Sequence, residues 1–122
     1  MKILVVDDET VVLESCKKIL SSEGYDAAFL SSVDDALAAL DKELFNLLLI
    51  DIKMPKRDGL CLMDILRKRE EKIPIVVMSG YSTDETINEA KQMGANTFIP
   101  KPFTPDELLN AVRENIGKEA GK

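Results

Sequence analysis

Residues 2–9 read Lys2-Ile3-Leu4-Val5-Val6-Asp7-Asp8-Glu9, a short unbroken apolar run that stops on consecutive acids. A run of this length, apolar throughout and bounded by charge, reads as a strand covered on both faces, the kind found in parallel sheets. The same pattern returns along the chain. Leu47-Leu48-Leu49-Ile50 stops at Asp51, Ile75-Val76-Val77-Met78 stops at Ser79-Gly80, and Phe98-Ile99 stops at Pro100-Lys101-Pro102. As parallel strands, these runs carry the carboxylates of Asp7, Asp8 and Asp51, the hydroxyl of Ser79 and the amine of Lys101 to one edge of a sheet.

The segments between the runs have helical periodicity. A first helix is expected over about 10–23, with Val12, Cys16, Ile19 and Leu20 on one face and Gly24 as its stop. Strand two, about 25–30, is diluted by Asp26 and two alanines, which suits a sheet edge. Helix two should span 33–42, with Ser32 as cap and Val33, Ala36, Leu37 and Leu40 inward. Strand three is expected at 46–50 and helix three at about 60–70, with Leu62, Ile65 and Leu66 inward. Strand four is expected at 73–78, with Pro74 tolerated near its start. Helix four should cover about 83–93 and stop at Gly94; strand five is short, 97–99. Thr104, Pro105 and Glu107 form a helix-start signature at N-cap, N1 and N3 for helix five, which should run to about Asn115.

Five β–α repeats point to an α/β fold: a doubly wound, five-stranded parallel sheet with helices on both faces and right-handed crossovers. In such sheets ligands bind at the carboxyl edge, where the polar residues collect. The 122 residues suit one domain, expected over 1–117, with 118–122 a flexible tail or the start of a linker. Met1 directly ahead of strand one reads as a native start.

Composition narrows the chemistry. Histidine is absent, which excludes Ser-His-Asp and Cys-His sites, a histidine-ligated metal and a phosphohistidine on this chain. The net charge of −6 argues against direct nucleic-acid binding, whose footprint is basic. Cys16 and Cys61 lack a C-x-x-C pattern and are expected to be buried thiols in a reducing compartment. Neither a signal peptide nor an apolar run near the roughly 18 residues of a membrane span is present, so the expected location is the cytoplasm. Met63, Met78 and Met93 read as core filling. Asp34, Asp35, Glu85 and Glu89 read as a solvated helix face.

Adjacent acids after strand one can build a hard oxygen site for Mg²⁺, joined by Asp51 if strands one and three are neighbours. Crowded carboxylates repel unless neutralised, and Lys101 supplies one positive charge. The Ser79-Gly80 turn adds a hydroxyl and backbone N–H groups suited to an anion. Such a site suits phosphoryl transfer, which needs mainly positioning and charge neutralisation.

With these residues in order, the chain resembles the receiver domain of two-component response regulators, of CheY-like fold with strand order 2-1-3-4-5. The resemblance spans about 2–116 and rests on Asp7-Asp8, on Asp51-x-x-Met54-Pro55-x-x-Asp58-Gly59, on Ser79-Gly80 and on Lys101-Pro102-Phe103. Each motif alone reads as an ordinary turn or surface feature; together, on the matching elements, they are specific. The resemblance implies a phosphorylation-operated signalling switch, not an enzyme acting on outside substrates: it catalyses only its own phosphoryl transfer and autodephosphorylation. Asp51 is then the phospho-acceptor, served by a sensor histidine kinase or a histidine phosphotransfer protein. Asp8 is implied as a direct Mg²⁺ ligand, Asp7 as one acting mostly through water, and Asp51 and the Lys53 main-chain carbonyl as further ligands. Lys101 pairs with the carboxylate and then the phosphoryl group, and the Lys101-Pro102 bond is cis. Ser79 bonds a phosphoryl oxygen and Phe98 rotates inward, changing the face of helix four, strand five and helix five. Phe98 lacks the hydroxyl of a tyrosine, so its rotation is read by packing alone. The signal leaves through a downstream protein target, an output domain outside this chain, or a phosphorylation-dependent homodimer. Lys53 and Tyr81, two residues beyond Asp51 and Ser79, suggest slow self-hydrolysis.

Two other readings fit less well. A Mg²⁺-dependent phosphatase working through an aspartyl phosphate often has an acid two residues after the nucleophile, where this chain has Lys53. A flavin mononucleotide binder needs a Gly/Ser/Thr-rich phosphate loop after strand one, where this chain has acids.

Overall fold

The computed structural model describes residues 2–54, 58–80 and 83–116. Strands β1 (Lys2–Val6), β2 (Asp26–Leu30), β3 (Leu47–Asp51), β4 (Ile75–Ser79) and β5 (Thr97–Pro100) alternate with helices α1 (Thr10–Ser22), α2 (Val33–Lys42), α3 (Gly59–Lys68), α4 (Asp84–Gln92) and α5 (Pro105–Asn115). All four strand pairings are parallel and the order is β2-β1-β3-β4-β5, as expected. Strand two is an edge, and the unbroken apolar runs of β1, β3 and β4 are the three central strands.

Alternation along those runs builds two cores. Leu4, Val6, Leu48 and Ile50 face one side, with Leu62 and Leu66 of α3. Ile3, Val5, Leu47 and Leu49 face the other, with Leu20 of α1 and Leu108 of α5. Residues 3–6 of β1 and 47–50 of β3 are therefore apolar without a break because both faces are covered. Helix starts follow local chemistry. Ser32, Asp58, Thr83 and Thr104 each accept a hydrogen bond from a backbone N–H of the helix they precede, and Thr104 with Glu107 completes a capping box. Asn115, buried at the end of α5, donates to Thr97 Oγ1 at 2.8 Å and ties that helix to β5.

Boundaries shift by one or two residues from the sequence expectation. β3 and β4 run on into Asp51 and Ser79, because the ladder continues through Asp51↔Met78 and Ser79↔Pro100 although the side chains turn polar. β4 begins at Ile75 instead of residue 73, since Pro74 has no N–H to give and contributes only its carbonyl to Leu48 N. α3 stops at Lys68 because Glu70 takes φ of +58°. α4 starts after Thr83, which is its cap. Cys16 is buried as expected. Cys61 is only half-buried, because α3 turns it toward the flank of its inward stripe, and Ile65 is half-buried likewise. Pro55, Tyr81 and 117–122 lie outside the described residues.

Candidate functional site at the carboxyl edge of the sheet

The register brings the polar residues together. Val6 pairs with Ile50, so Asp7, the next residue after β1, lies beside Asp51 at the end of β3. Asp51 pairs with Met78, one residue short of Ser79. Lys101 donates its backbone N–H to the Ser79 carbonyl at 2.8 Å, which fixes the exit of β5 against β4. The Lys101-Pro102 peptide is cis, as expected.

The Lys101 ammonium sits at the centre. It donates to Asp7 Oδ2 at 2.7 Å, Glu9 Oε1 at 3.0 Å and Asp51 Oδ2 at 3.1 Å. Asp7 and Asp51 are buried, 0% and 3% exposed, while Glu9 is open to solvent. The second oxygens are also engaged: Asp7 Oδ1 accepts from Glu9 N at 2.9 Å, and Asp51 Oδ1 from Lys53 N at 3.2 Å.

These surroundings set the protonation behaviour. Burial pushes the Asp51 carboxyl up to about 6, and the charge of Asp7 adds to that; Lys101 and the Lys53 amide pull the other way. Burial alone would lower the Lys101 ammonium, but its bonds to Asp7 and Glu9 and the charge of Asp51 outweigh that and hold it above its ordinary range. Asp51 is thus ionised at neutral pH, yet more basic than an exposed carboxylate, which favours it as a nucleophile. The Cys16 thiol beneath the site is raised to about 12 by burial and then by Asp7, so it stays protonated.

Asp7, Asp8 and Asp51 each offer one carboxylate oxygen, and the three lie within 4.8 Å of one another. Such a set of hard oxygen donors fits a divalent cation, and Asp8 at its exposed side leaves room for water. A cleft of about 730 Å³ opens onto it. Asp8, Glu9, Asp51, Lys53, Gly80 and Lys101 line its polar end; Val11, Val12 and Ile19 of α1 with Phe103 and Pro105 line its apolar end. Ser79 is fully buried at the end of β4. Phe98 on β5 is half-buried and packs on the core that includes Ala90 of α4.

Every described residue singled out for the site except Phe98 therefore stands at the carboxyl edge. Two features escaped the sequence reading. Glu9, which only ended the acidic run there, is a third carboxylate on Lys101. Gly59 packs against the end of β3 so closely that a Cβ built there would collide with the Asp51 carbonyl oxygen and meet Ile52 Cα at 3.0 Å.

Comparison with known proteins shows the family. Residues 3–113 match the family model of the response regulator receiver domain. The chain is 33% identical over 115 residues to sporulation initiation phosphotransferase F of Bacillus subtilis, covering 94% of this chain and 93% of that protein. It is 34% identical over 113 residues to the transcriptional regulatory protein DltR of Streptococcus agalactiae; there the match covers 93% of this chain but only 50% of the regulator. Among solved structures, a CheY-like response regulator receiver domain protein from Methanospirillum hungatei superposes with a TM-score of 0.86 at 35% identity, over 93% of this chain and 90% of that one. The chain belongs to the response regulator receiver domain family, the phosphorylation-operated switches of two-component signalling.

Proposed function

We propose that Asp51 is the phospho-acceptor and that a histidine kinase or histidine phosphotransfer protein is the donor. The observation that carries this reading is the Lys101 ammonium shared between Asp7 and Asp51 at 2.7 and 3.1 Å, at the only described acid cluster able to take a cation. In the transfer, an Asp51 carboxylate oxygen bonds to phosphorus as the P–N bond to the donor imidazole breaks, and the imidazole leaves with the electron pair. The product is a mixed anhydride open to hydrolysis. Lys101 keeps the acceptor neutralised as charge arrives, and the Lys53 amide orients it.

Mg²⁺ is the cation that suits Asp7, Asp8, Asp51 and the Lys53 main-chain carbonyl, and when bound it neutralises phosphoryl oxygens during transfer. After transfer Ser79 turns its hydroxyl to a phosphoryl oxygen, and Phe98 moves further into the core. The changed surface is that of α4, β5 and α5, read by a downstream protein, by an output domain or by a second copy of this chain. Residues 1–117 act as the receiver and 118–122 as a tail or linker start. Among the described residues no helix is long and apolar enough to cross a membrane, consistent with a cytoplasmic place of action. Lys53 beside the acceptor favours slow self-hydrolysis, and a phosphoryl half-life of seconds would count against that.

The test is direct. Acetyl phosphate with Mg²⁺ should add one phosphoryl group, seen by intact mass, and Asp51→Asn should take none. Persistent labelling of that variant moves the acceptor elsewhere.

A further inference from the structure

Glu9 occupies the N-cap of α1, yet its side chain caps nothing. The four other helices all use their cap side chain on their own backbone. Glu9 instead reaches Lys101, 92 residues away in sequence. That contact has a consequence for the ammonium. A lysine has three N–H donors, and here three carboxylates take them, Asp7, Glu9 and Asp51. No donor remains for an incoming phosphoryl oxygen until one of these bonds opens.

The cost of opening differs among the three. Asp7 makes the shortest bond and is wholly buried, so releasing it strands a charge away from water. Asp51 is the group being phosphorylated. Glu9 has a side chain 60% exposed, so water replaces the ammonium with little loss. We propose that Glu9 restrains phosphoryl transfer through Lys101: it holds the ammonium at the mouth of the cleft, and its bond to Lys101 is the one that must open when the phosphoryl group arrives. An exchange of this kind slows transfer from a small donor that brings no docking energy of its own.

This rests on Asp51 being the acceptor, and the experiment separates the two ideas. The full chain is treated with acetyl phosphate at saturating Mg²⁺ and low ionic strength, and the labelling rate is followed by intact mass. The Asp51 carboxylate forms its bond to phosphorus as the P–O bond to the acetyl group breaks and acetate departs with the electron pair. Labelled Asp51→Asn would defeat the acceptor assignment, whatever Glu9 does. Given an unlabelled Asp51→Asn, Glu9→Gln should label about two- to fivefold faster than the unaltered chain, with the gap closing at high salt because the pair is exposed. Glu9→Asp keeps the charge but is too short to hold the ammonium, so it should also be faster. A Glu9→Gln rate at or below that of the unaltered chain overturns the proposal. So does acceleration in Glu9→Gln with none in Glu9→Asp, because charge at the mouth, not the hold on Lys101, would then be the cause.

Discussion

Replacing Gly59 by alanine tests how tightly Asp51 is held. Gly59 opens α3, and its N–H donates to the Ile52 carbonyl at 2.8 Å, so the helix start is bolted to the residue after Asp51. An added Cβ would collide with the Asp51 carbonyl oxygen and lie 3.0 Å from the Asp51 carbonyl carbon and Ile52 Cα. All three are backbone atoms, which cannot swing aside as a flexible side chain would. Relief requires a shift of the β3–α3 connection. Overpacking of this kind costs about 1–3 kcal/mol, and weakening the bond to Ile52 adds about 0.5–1.5 kcal/mol. Against this, alanine is the better helix former by up to about 1 kcal/mol. The clash wins, leaving a net loss of about 1–3 kcal/mol and a melting temperature lower by roughly 3–10 °C. Because the shift acts on the Asp51 backbone, the proposed acceptor reading expects acetyl phosphate labelling to fall by roughly tenfold or more, as small misplacements do. Gly80→Ala is the internal control for stability, since nothing lies within 4 Å of a Cβ there. Circular dichroism melts and labelling rates report both effects. A Gly59→Ala protein that melts and labels like the parent refutes the close-approach argument.

Lys101→Met leaves Asp7 and Asp51 facing each other without their shared cation, so the metal-free variant should lose about 3–5 kcal/mol in a denaturant titration; Mg²⁺ should stabilise it more than it stabilises the parent. The raised Asp51 carboxyl makes a pH prediction for the protein in chelator. A pKa raised on folding, from the ordinary 3.8 to about 6, means the folded state binds the proton more tightly. The stability this contributes is fully present below 3.8 and is lost as pH rises through about 6. Asp51→Asn should therefore be the more stable protein at neutral pH, by about 1 kcal/mol after discounting the full conversion for solvent in the cleft, and the difference should vanish in acid. Melts across that range check it, and an Asp51→Asn curve parallel to the parent's would defeat it. Arg67→Ala removes donors to the carbonyls of Glu71 and Gly94, each at 2.8 Å, and should cost about 1–3 kcal/mol. Lysine should not restore it, because one ammonium lacks the fork that reaches both.

What the sequence disclosed follows from which forces are local. β1, β3 and β4 were legible because a strand buried on both faces must be apolar at every position, and Leu47-Leu48-Leu49-Ile50 has no other economical reading. Helix starts at Ser32 and Thr104 were legible because caps act within three residues. The extension of β3 into Asp51 and of β4 into Ser79 was not, since it depends on backbone pairing with a neighbour that leaves no mark on residue type. Glu9 could not be assigned for a related reason: its partner lies across the sheet, and after two acids a third reads as solvated charge. The signal available was that glutamate is a poor N-cap, so its presence there invited another use. Gly59 read as part of a motif, but the reason for a glycine, a helix start pressed onto the Asp51 backbone, required the packed structure.

The division of labour between strand and helix follows from burial. Asp51 and Ser79 end strands whose residues are buried throughout, so neither can drift without breaking the sheet. The α4–β5–α5 face is not uniform in this respect. α5 buries Leu108, Leu109, Ala111, Val112 and Asn115, whereas Ala90 is the one buried residue among those described in α4. Displacing α4 thus uncovers little apolar area, while displacing α5 opens one of the two cores. The C-terminal end of α4 is also anchored. Gly94, at φ +102°, sits where a Cβ would strike the Arg67 guanidinium, and Asn96 exchanges two hydrogen bonds of 2.8 Å with Ile75. A helix lightly packed along its length and fixed at its far end can swing at its near end with the least loss of burial. On the proposed reading of Asp51 as phospho-acceptor, a tilt of α4 is the response that costs least burial, and α5, with its five buried residues, is the helix expected to stay in place.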